Sequence, residues 1–313
     1  MFPGDALRRR SFDAGPEESG SLAGALARRL GMTTGEATAL VARGAVYVRG
    51  RRSTDPSRRV RTGDRVMVVL EESGRPVLAP EPAPPPLVVL HRDPALLAVD
   101  KPAGLPAQAT PGGATSLVDL VARALGRAPG LVHRLDRETS GVTLFGLTPA
   151  ATAALAAEFR AGRVVKQYLG ATGPALPEAG TIDRPLVRDR SRPGRWRAAS
   201  GRGVPALTEF RRLGGGEGYA LAVLWPRTGR THQLRAHLAS LGAPLLGDAR
   251  YGGARRLGGD AVPRCLLHAQ ALIVRHPLTG RPVTLLAPLP EDLGRLFVRS
   301  GVPVPAAPED ENG

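Results

Sequence analysis

The sequence predicts an α+β chain in two parts, a small basic module and a larger mixed domain. Three observations carry this. Six prolines fall between residues 76 and 86, where they can form neither helix nor inner strand and read as a stiff, extended linker. Ahead of them two short helical stripes lead into a β segment. Beyond them strands and helices intermix to about residue 300. A chain of 313 residues is long enough for one sizeable core and a smaller one.

Residues 1–20 are Gly- and charge-rich without periodicity and are expected to be a disordered tail. From Ser21 a pattern begins. Leu22, Leu26 and Leu30 recur at intervals of four, one stripe of a short helix closed by Gly31. A second helix starts with Thr33 or Thr34 as N-cap, carries Glu36 and Ala37 in its first turn, turns Leu40-Val41 inward and stops at Gly44. Residues 45–52 read as a strand entering a turn. Thr62-Gly63-Asp64 is the turn before a closing strand, Val66–Leu70. The module thus spans 21–72 and the linker 73–87. In the larger domain, 88–300, Leu87–Leu90 and Leu96–Val99 read as strands. Thr148-Pro149 caps a helix that places Leu155 and Phe159 four apart and ends at Gly162. Another helix begins near Thr231 and ends at Gly242, with Leu234, Leu238 and Leu241 as its buried stripe and His232 and Arg235 on the other side. His237 lies beside that stripe and reads as a half-buried structural histidine. Residues 301–313 form an acidic tail.

The net charge is +15 with a pI near 11.3, which points to a polyanionic partner, most commonly nucleic acid. A GC-biased coding sequence would also enrich arginine. Only two lysines occur, Lys101 and Lys166. Seven arginines (Arg49, Arg51, Arg52, Arg58, Arg59, Arg61, Arg65) crowd seventeen residues against only Asp55 and Asp64, one surface suited to phosphates. No apolar run reaches membrane-spanning length and the N-terminus lacks a secretory pattern, so the cytoplasm is the expected compartment. Cys265 stands alone, so neither an intramolecular disulfide nor a cysteine-based zinc site is available. His133, His232, His237 and His268 have no close ligand spacing, and no metal is expected.

The segment Leu131–Phe145 holds the chemistry. An apolar pair leads into a polar loop, and Thr139-Ser140-Gly141 suits a tight turn before a β-prone run. Asp136 sits on that loop near Arg134 and Arg137. A carboxylate beside arginines stays ionised. It can act as a nucleophile or serve only as an ion-pair partner. The residues alone leave both open.

The stretch "HRLDRETSG" resembles the signature of the RluA-type pseudouridine synthases, H-R-L-D-x-x-T-S-G. Further segments match that family in order: "LLAVDKPAGL" (96–105), "VVKQYLGAT" (164–172), "TGRTHQLRAHLASLGAPLLGDARYGG" (228–253) and "LLHAQALIVRHPLTGRPVTLLAPLP" (266–290). The small module resembles the ribosomal-protein-S-four-type (alpha-L) RNA-binding domain, through its "G-x-V-x-V-x-G" and "G-D-x-V" stretches. The resemblance implies a mixed, largely antiparallel central sheet flanked by helices, with a cleft across its middle. It implies an isomerase that turns uridine into pseudouridine without cofactor or metal, as a monomer acting on structured RNA. Large-subunit ribosomal RNA is the expected substrate and transfer RNA the alternative. Asp136 would be the nucleophile, Tyr168 would lie against the uracil and take part in proton removal from carbon 5, and Arg230 would pair with Asp136. Arg134 would fill the gap left by the extruded base, with His133, Arg137, Lys101 and Lys166 also at the RNA. Arg49, Arg51 and Arg52 would bind RNA from the small module. A rival of another class is an RNA-binding or ribosome-assembly protein that keeps the fold without the activity. A hydrolase or nuclease using Asp136 would need a metal-ligand cluster.

Overall fold

The structure, a computed structural model, describes residues 8–42, 44–70, 85–109, 115–192 and 194–308. The side chains of Arg8, Arg9, Arg51 and Leu70 lie outside that description, as does most of the 73–87 segment. The chain divides into two compact units.

The first unit contains β1 (Arg8–Asp13), a 3-10 turn at Pro16–Glu18, β2 (Gly20–Ser21), α1 (Leu22–Leu30), α2 (Thr34–Ala42), β3 (Val46–Val48), β4 (Arg51–Ser53), β5 (Arg59–Val60) and β6 (Arg65–Leu70). Ser21 caps α1 by accepting the Gly24 amide at 3.2 Å, and Gly31 ends it in the left-handed region. Thr33 and Glu36 exchange hydrogen bonds as a capping box ahead of α2. The expected disordered tail is corrected from residue 8 onward. β1 pairs with β6 over all six of its residues, because β6 would otherwise present an open edge and Phe12 and Ala14 alternate into the core. One large apolar residue in so short a strand is too weak a pattern to read unaided. The four-stranded sheet runs β1-β6-β3-β4, and Leu22, Leu26, Leu40 and Val41 of the helices pack on Val46, Val48, Val66 and Val68.

The second unit adds β7 (Val88–Arg92), β8 (Leu96–Lys101), α3 (Leu117–Leu125), β9 (Gly130–Leu131), β10 (Ser140–Gly146), α4 (Pro149–Arg160), β11 (Val165–Thr172), β12 (Ala179–Asp183), β13 (Leu186–Arg188), β14 (Trp196–Ala198), β15 (Leu207–Gly216), β16 (Tyr219–Pro226), α5 (Gln233–Ser240), β17 (Arg256–Leu257), β18 (Asp260–Ala261), β19 (Leu267–Arg275), β20 (Pro282–Leu286) and α6 (Glu291–Ser300). The central sheet runs β12-β15-β16-β11-β19-β10-β8-β7, with β20 on β19 and β9 on β10. Every pairing in this sheet is antiparallel except β10 with β19, which run parallel through Ser140–His268 and Gly141–Ala269. The sheet is therefore mixed and largely antiparallel.

Strand periodicity assigns its two faces. On β16, Ala220, Ala222 and Leu224 join Leu234 and Leu238 of α5, while Tyr219, Leu221 and Val223 join Leu293, Leu296 and Phe297 of α6. Leu155 of α4 packs on Val142 and Leu144. Leu117, Leu120 and Val121 of α3 pack on Leu97, Val99 and Phe145. Each such leucine contributes about 2 kcal/mol on burial. After α6 the chain is held back on the sheet, where Gln270 and Gln167 donate to the carbonyls of Pro305 and Ala306 at 2.9 and 2.7 Å. Of the expected acidic tail, residues 309–313 lie outside the described residues.

Candidate active site

Asp136 belongs to the loop that enters β10, beside the one parallel pairing of the sheet. The loop is held from several directions. Lys101 at the end of β8 donates to the carbonyls of Pro102, Leu105 and Arg137 at 2.9, 2.8 and 3.1 Å. Arg137 donates to the Gly104 carbonyl at 2.8 Å. Arg264 reaches the Glu138 carbonyl at 3.3 Å while its guanidinium grips Asp292. His133 accepts the Leu144 amide at 3.0 Å and stacks on Phe159. Burial, reinforced by Lys166, drives its pKa down to about 3, so the ring is neutral and accepting. At the turn, the Thr139 amide closes on the Asp136 carbonyl at 3.1 Å.

This corrects the expected RNA contact of Lys101. Its side chain is fully buried, because the Lys-Pro-x-Gly turn needs an internal cation to gather three carbonyls that face inward. Burial lowers its pKa to about 7, opposed by the charges of Asp136 and Glu138.

The partner of Asp136 is also corrected. Arg235 of α5 donates to its Oδ2 at 3.2 Å. Arg230 is exposed and donates instead to the Pro205 carbonyl at 3.1 Å. The reason lies in α5, which begins only at Gln233. Arg230 precedes the first turn, whereas Arg235 lies within the helix and is buried. Arg235 is itself held by Asp248 through two hydrogen bonds of 2.7 and 2.8 Å, a planar fork that fixes its orientation. Burial alone would lower its pKa, but the hydrogen bonds and charge of Asp248, with Asp136, raise it further. Arg235 thus runs as a charged strut from Asp248, whose side chain is 1% exposed, to Asp136 at 23%. His237 is fully buried rather than half-buried, bridging Thr208 and the Arg184 carbonyl.

Tyr168 reaches the same place from β11. A bulge between Gln167 and Tyr168 shifts its register so that Tyr168 pairs with Ala269, the residue that also pairs with Gly141 on the other side. The tyrosine therefore stands two strands from the turn that follows Asp136, about 10 Å across the ladder. Burial, then the negative charge of Asp136, push its phenol pKa up. It is a phenol at neutral pH.

These groups line one cleft of about 590 Å³, formed by Val132, His133, Arg134, Leu135, Asp136 and Thr139 on one side and Lys166, Tyr168, Arg227–Arg235 and Leu267 on the other. The size suits a single nucleotide. Arg134 is exposed at this cleft. Lys166 donates to the Thr228 carbonyl at 3.3 Å, and burial with Arg227 and Arg230 lowers its pKa to about 8. The sequence reading missed Asp248 and Tyr251. No local signal singled out the burial of Arg235, because neighbours on a helix lie about 100° apart and a stripe through Leu234 and Leu238 leaves residue 235 off that stripe. In the first unit Arg49 pairs with Asp64, Arg52 donates to the Gly44 carbonyl, and the Arg51 side chain lies outside the described residues. Among the described residues no group of three His, Cys, Asp or Glu is placed to hold a metal ion, and no helix is long and apolar enough to cross a membrane.

Comparison with known proteins gives a consistent result. The RNA pseudouridylate synthase family profile matches residues 95–240. Ribosomal large subunit pseudouridine synthase D of Xanthomonas campestris is 37% identical over 263 residues, covering 77% of each chain. The Dual-specificity RNA pseudouridine synthase RluA of Escherichia coli K12 is 38% identical over 214 residues, 66% of this chain and 95% of the other. Among solved structures, Human RNA Pseudouridylate Synthase Domain Containing 4 superposes with a TM-score of 0.57 at 28% identity, covering 70% of this chain and 95% of that one.

Proposed function

The chain belongs to the RluA-type RNA pseudouridine synthases, which are isomerases, and from that premise we propose that Asp136 is its nucleophile and large-subunit ribosomal RNA its substrate. The observation that carries the assignment of Asp136 is its carboxylate, held by Arg235 at 3.2 Å in a cleft that Tyr168 also lines. The reaction breaks the bond from uracil nitrogen 1 to the sugar, turns the ring, and joins the same sugar carbon to ring carbon 5. The proton of carbon 5 is given up and nitrogen 1 gains one, so no atom is added. This demands a nucleophile, proton handling and a closed pocket, which this cleft can supply from its own side chains.

The charge states support an order of roles. Asp136, paired to a permanently charged guanidinium, is available to attack. Tyr168 begins as a phenol and is a poor base while Asp136 is negative beside it. Once Asp136 is spent in a covalent bond, the charge that helps keep the phenol protonated is gone, and proton transfer from carbon 5 becomes easier. Arg134, exposed at the cleft, is assigned to the space the flipped base leaves in the RNA stack.

The substrate assignment draws on the relative named for the large ribosomal subunit and on the first unit. There, exposed Arg10, Arg52, Arg59, Arg61 and Arg65 support an alpha-L-like RNA-binding role, in the cytoplasm where ribosomal RNA is worked on. The test is to incubate purified protein with total RNA from cells lacking the gene and to map pseudouridine. Gain at large-subunit uridines is expected, and Asp136→Asn should lower the product-forming rate by about a thousandfold or more. A variant within tenfold of the parent would remove Asp136 from the mechanism. Gain confined to transfer RNA would overturn the substrate assignment.

A further inference from the structure

His232 is one of two non-glycine residues with positive φ among the described residues, at +57°. A side chain held in the left-handed region costs about 1 kcal/mol or more, and such strain persists only where the surroundings impose it. Here the surroundings are Tyr251. The His232 Nδ1 lies 3.0 Å from the Tyr251 hydroxyl, and its Nε2 points toward Asp136, 3.8 Å from Oδ2. Tyr251 is buried, and its hydroxyl oxygen already accepts the Trp196 backbone amide at 2.9 Å. The ring of the same tyrosine lies under the Arg235 guanidinium at 5.1 Å.

The hydrogen-bond count then selects a tautomer. A phenol has one proton, and burial raises the Tyr251 pKa, so the proton stays on. If His232 donated from Nδ1, the buried hydroxyl proton would be left without a partner, which costs about 1–3 kcal/mol. Donation from Tyr251 to Nδ1 avoids that and puts the imidazole proton on Nε2, the nitrogen that faces Asp136. Both groups near the carboxylate, Arg235 Nη1 and His232 Nε2, address the same oxygen, Oδ2. Oδ1 accepts no hydrogen bond among the described residues.

Resting on Asp136 as nucleophile, we propose that Tyr251 and His232 are positioning residues. Tyr251 sets the His232 tautomer, His232 and Arg235 together hold Oδ2, and Oδ1 is thereby the oxygen that meets the uridine. The 3.8 Å gap closes to a hydrogen bond with a shift of about 1 Å, as often happens when a substrate fills a site.

The test has two arms. In the first, nitrogen-15 NMR of the full-length protein at neutral pH reads the His232 tautomer, independent of turnover. The protonated-Nε2 form is expected in the parent and its loss in Tyr251→Phe, whereas a protonated Nδ1 in the parent overturns the proposal. In the second, isomerisation kinetics are measured for four variants. Tyr251→Phe should lower kcat about tenfold with KM within twofold. His232→Asn tolerates the same backbone but is too short to reach Asp136, and should lose at least as much. His232→Gln, whose amide can replace the Nε2 donor, should recover most of the loss. Tyr251→Phe with His232→Asn should be no worse than His232→Asn alone, because the two act in series. Unchanged kcat in Tyr251→Phe, multiplying losses in the double variant, or a defect confined to KM would each overturn it. Failure of the Asp136→Asn test, by contrast, would strike the nucleophile assignment and leave the tautomer measurement standing.

Discussion

At the residue scale, the two arginines of the Gly-Arg-Thr-His-Gln-Leu-Arg stretch exchange the roles that the motif alone suggests. Arg230 is exposed and spends its Nε on a backbone carbonyl. Arg235 is buried between two carboxylates. Arg235→Lys keeps the charge but not the fork that Asp248 holds. We expect it to lower kcat by about a hundredfold and to destabilise the fold by about 3 kcal/mol, since Asp248 would lose its paired hydrogen bonds in a dry site. Arg230→Gln should leave kcat within about tenfold and act mainly on KM. Parallel kinetics and urea melts of the two variants would check this, and a larger kcat defect in Arg230→Gln would restore the pairing read from the motif. That Asp136 and Tyr168 line one cleft was legible from the short motifs that surround them. The Arg235 pairing was not, because it depends on where α5 begins.

At the element scale, the loop that carries Asp136 depends on Gly141. This residue sits at φ +115°, and a Cβ there would lie 2.2 Å from the Ala269 carbonyl oxygen of β19. Backbone of the parallel pairing cannot step aside. Gly141→Ala should therefore cost about 3 kcal/mol or more and impair catalysis beyond that loss by shifting the loop. Thermal unfolding together with kcat at low temperature would measure both, and a variant as stable as the parent would show that the pairing is more yielding than it looks. Capped helices were readable from local chemistry, as with Gly31 at the end of α1 and Thr148-Pro149 at the start of α4. β1 was not, because its stability comes from six partners on β6 more than fifty residues away rather than from its own pattern.

At the scale of the whole molecule, a net charge of +15 makes RNA association sensitive to salt through release of counterions. Raising monovalent salt from about 50 to about 200 mM should raise KM by about tenfold or more while kcat changes by less than about twofold. Steady-state kinetics across that range on one RNA would show it, and a flat KM would mean that the basic surface is not used in binding. The two units have separate sheets and separate cores, so the exposed arginines of the first unit can be altered without touching a strand of the larger sheet.

Local order along the chain was enough to name the family, because caps, tight turns and contiguous motifs are short-range properties. Which guanidinium meets Asp136, that Lys101 is buried scaffold rather than an RNA contact, and that Tyr251 braces His232 depend on sheet register and helix entry. Those are set by burial among residues far apart in sequence, and no short stretch of residues encodes them.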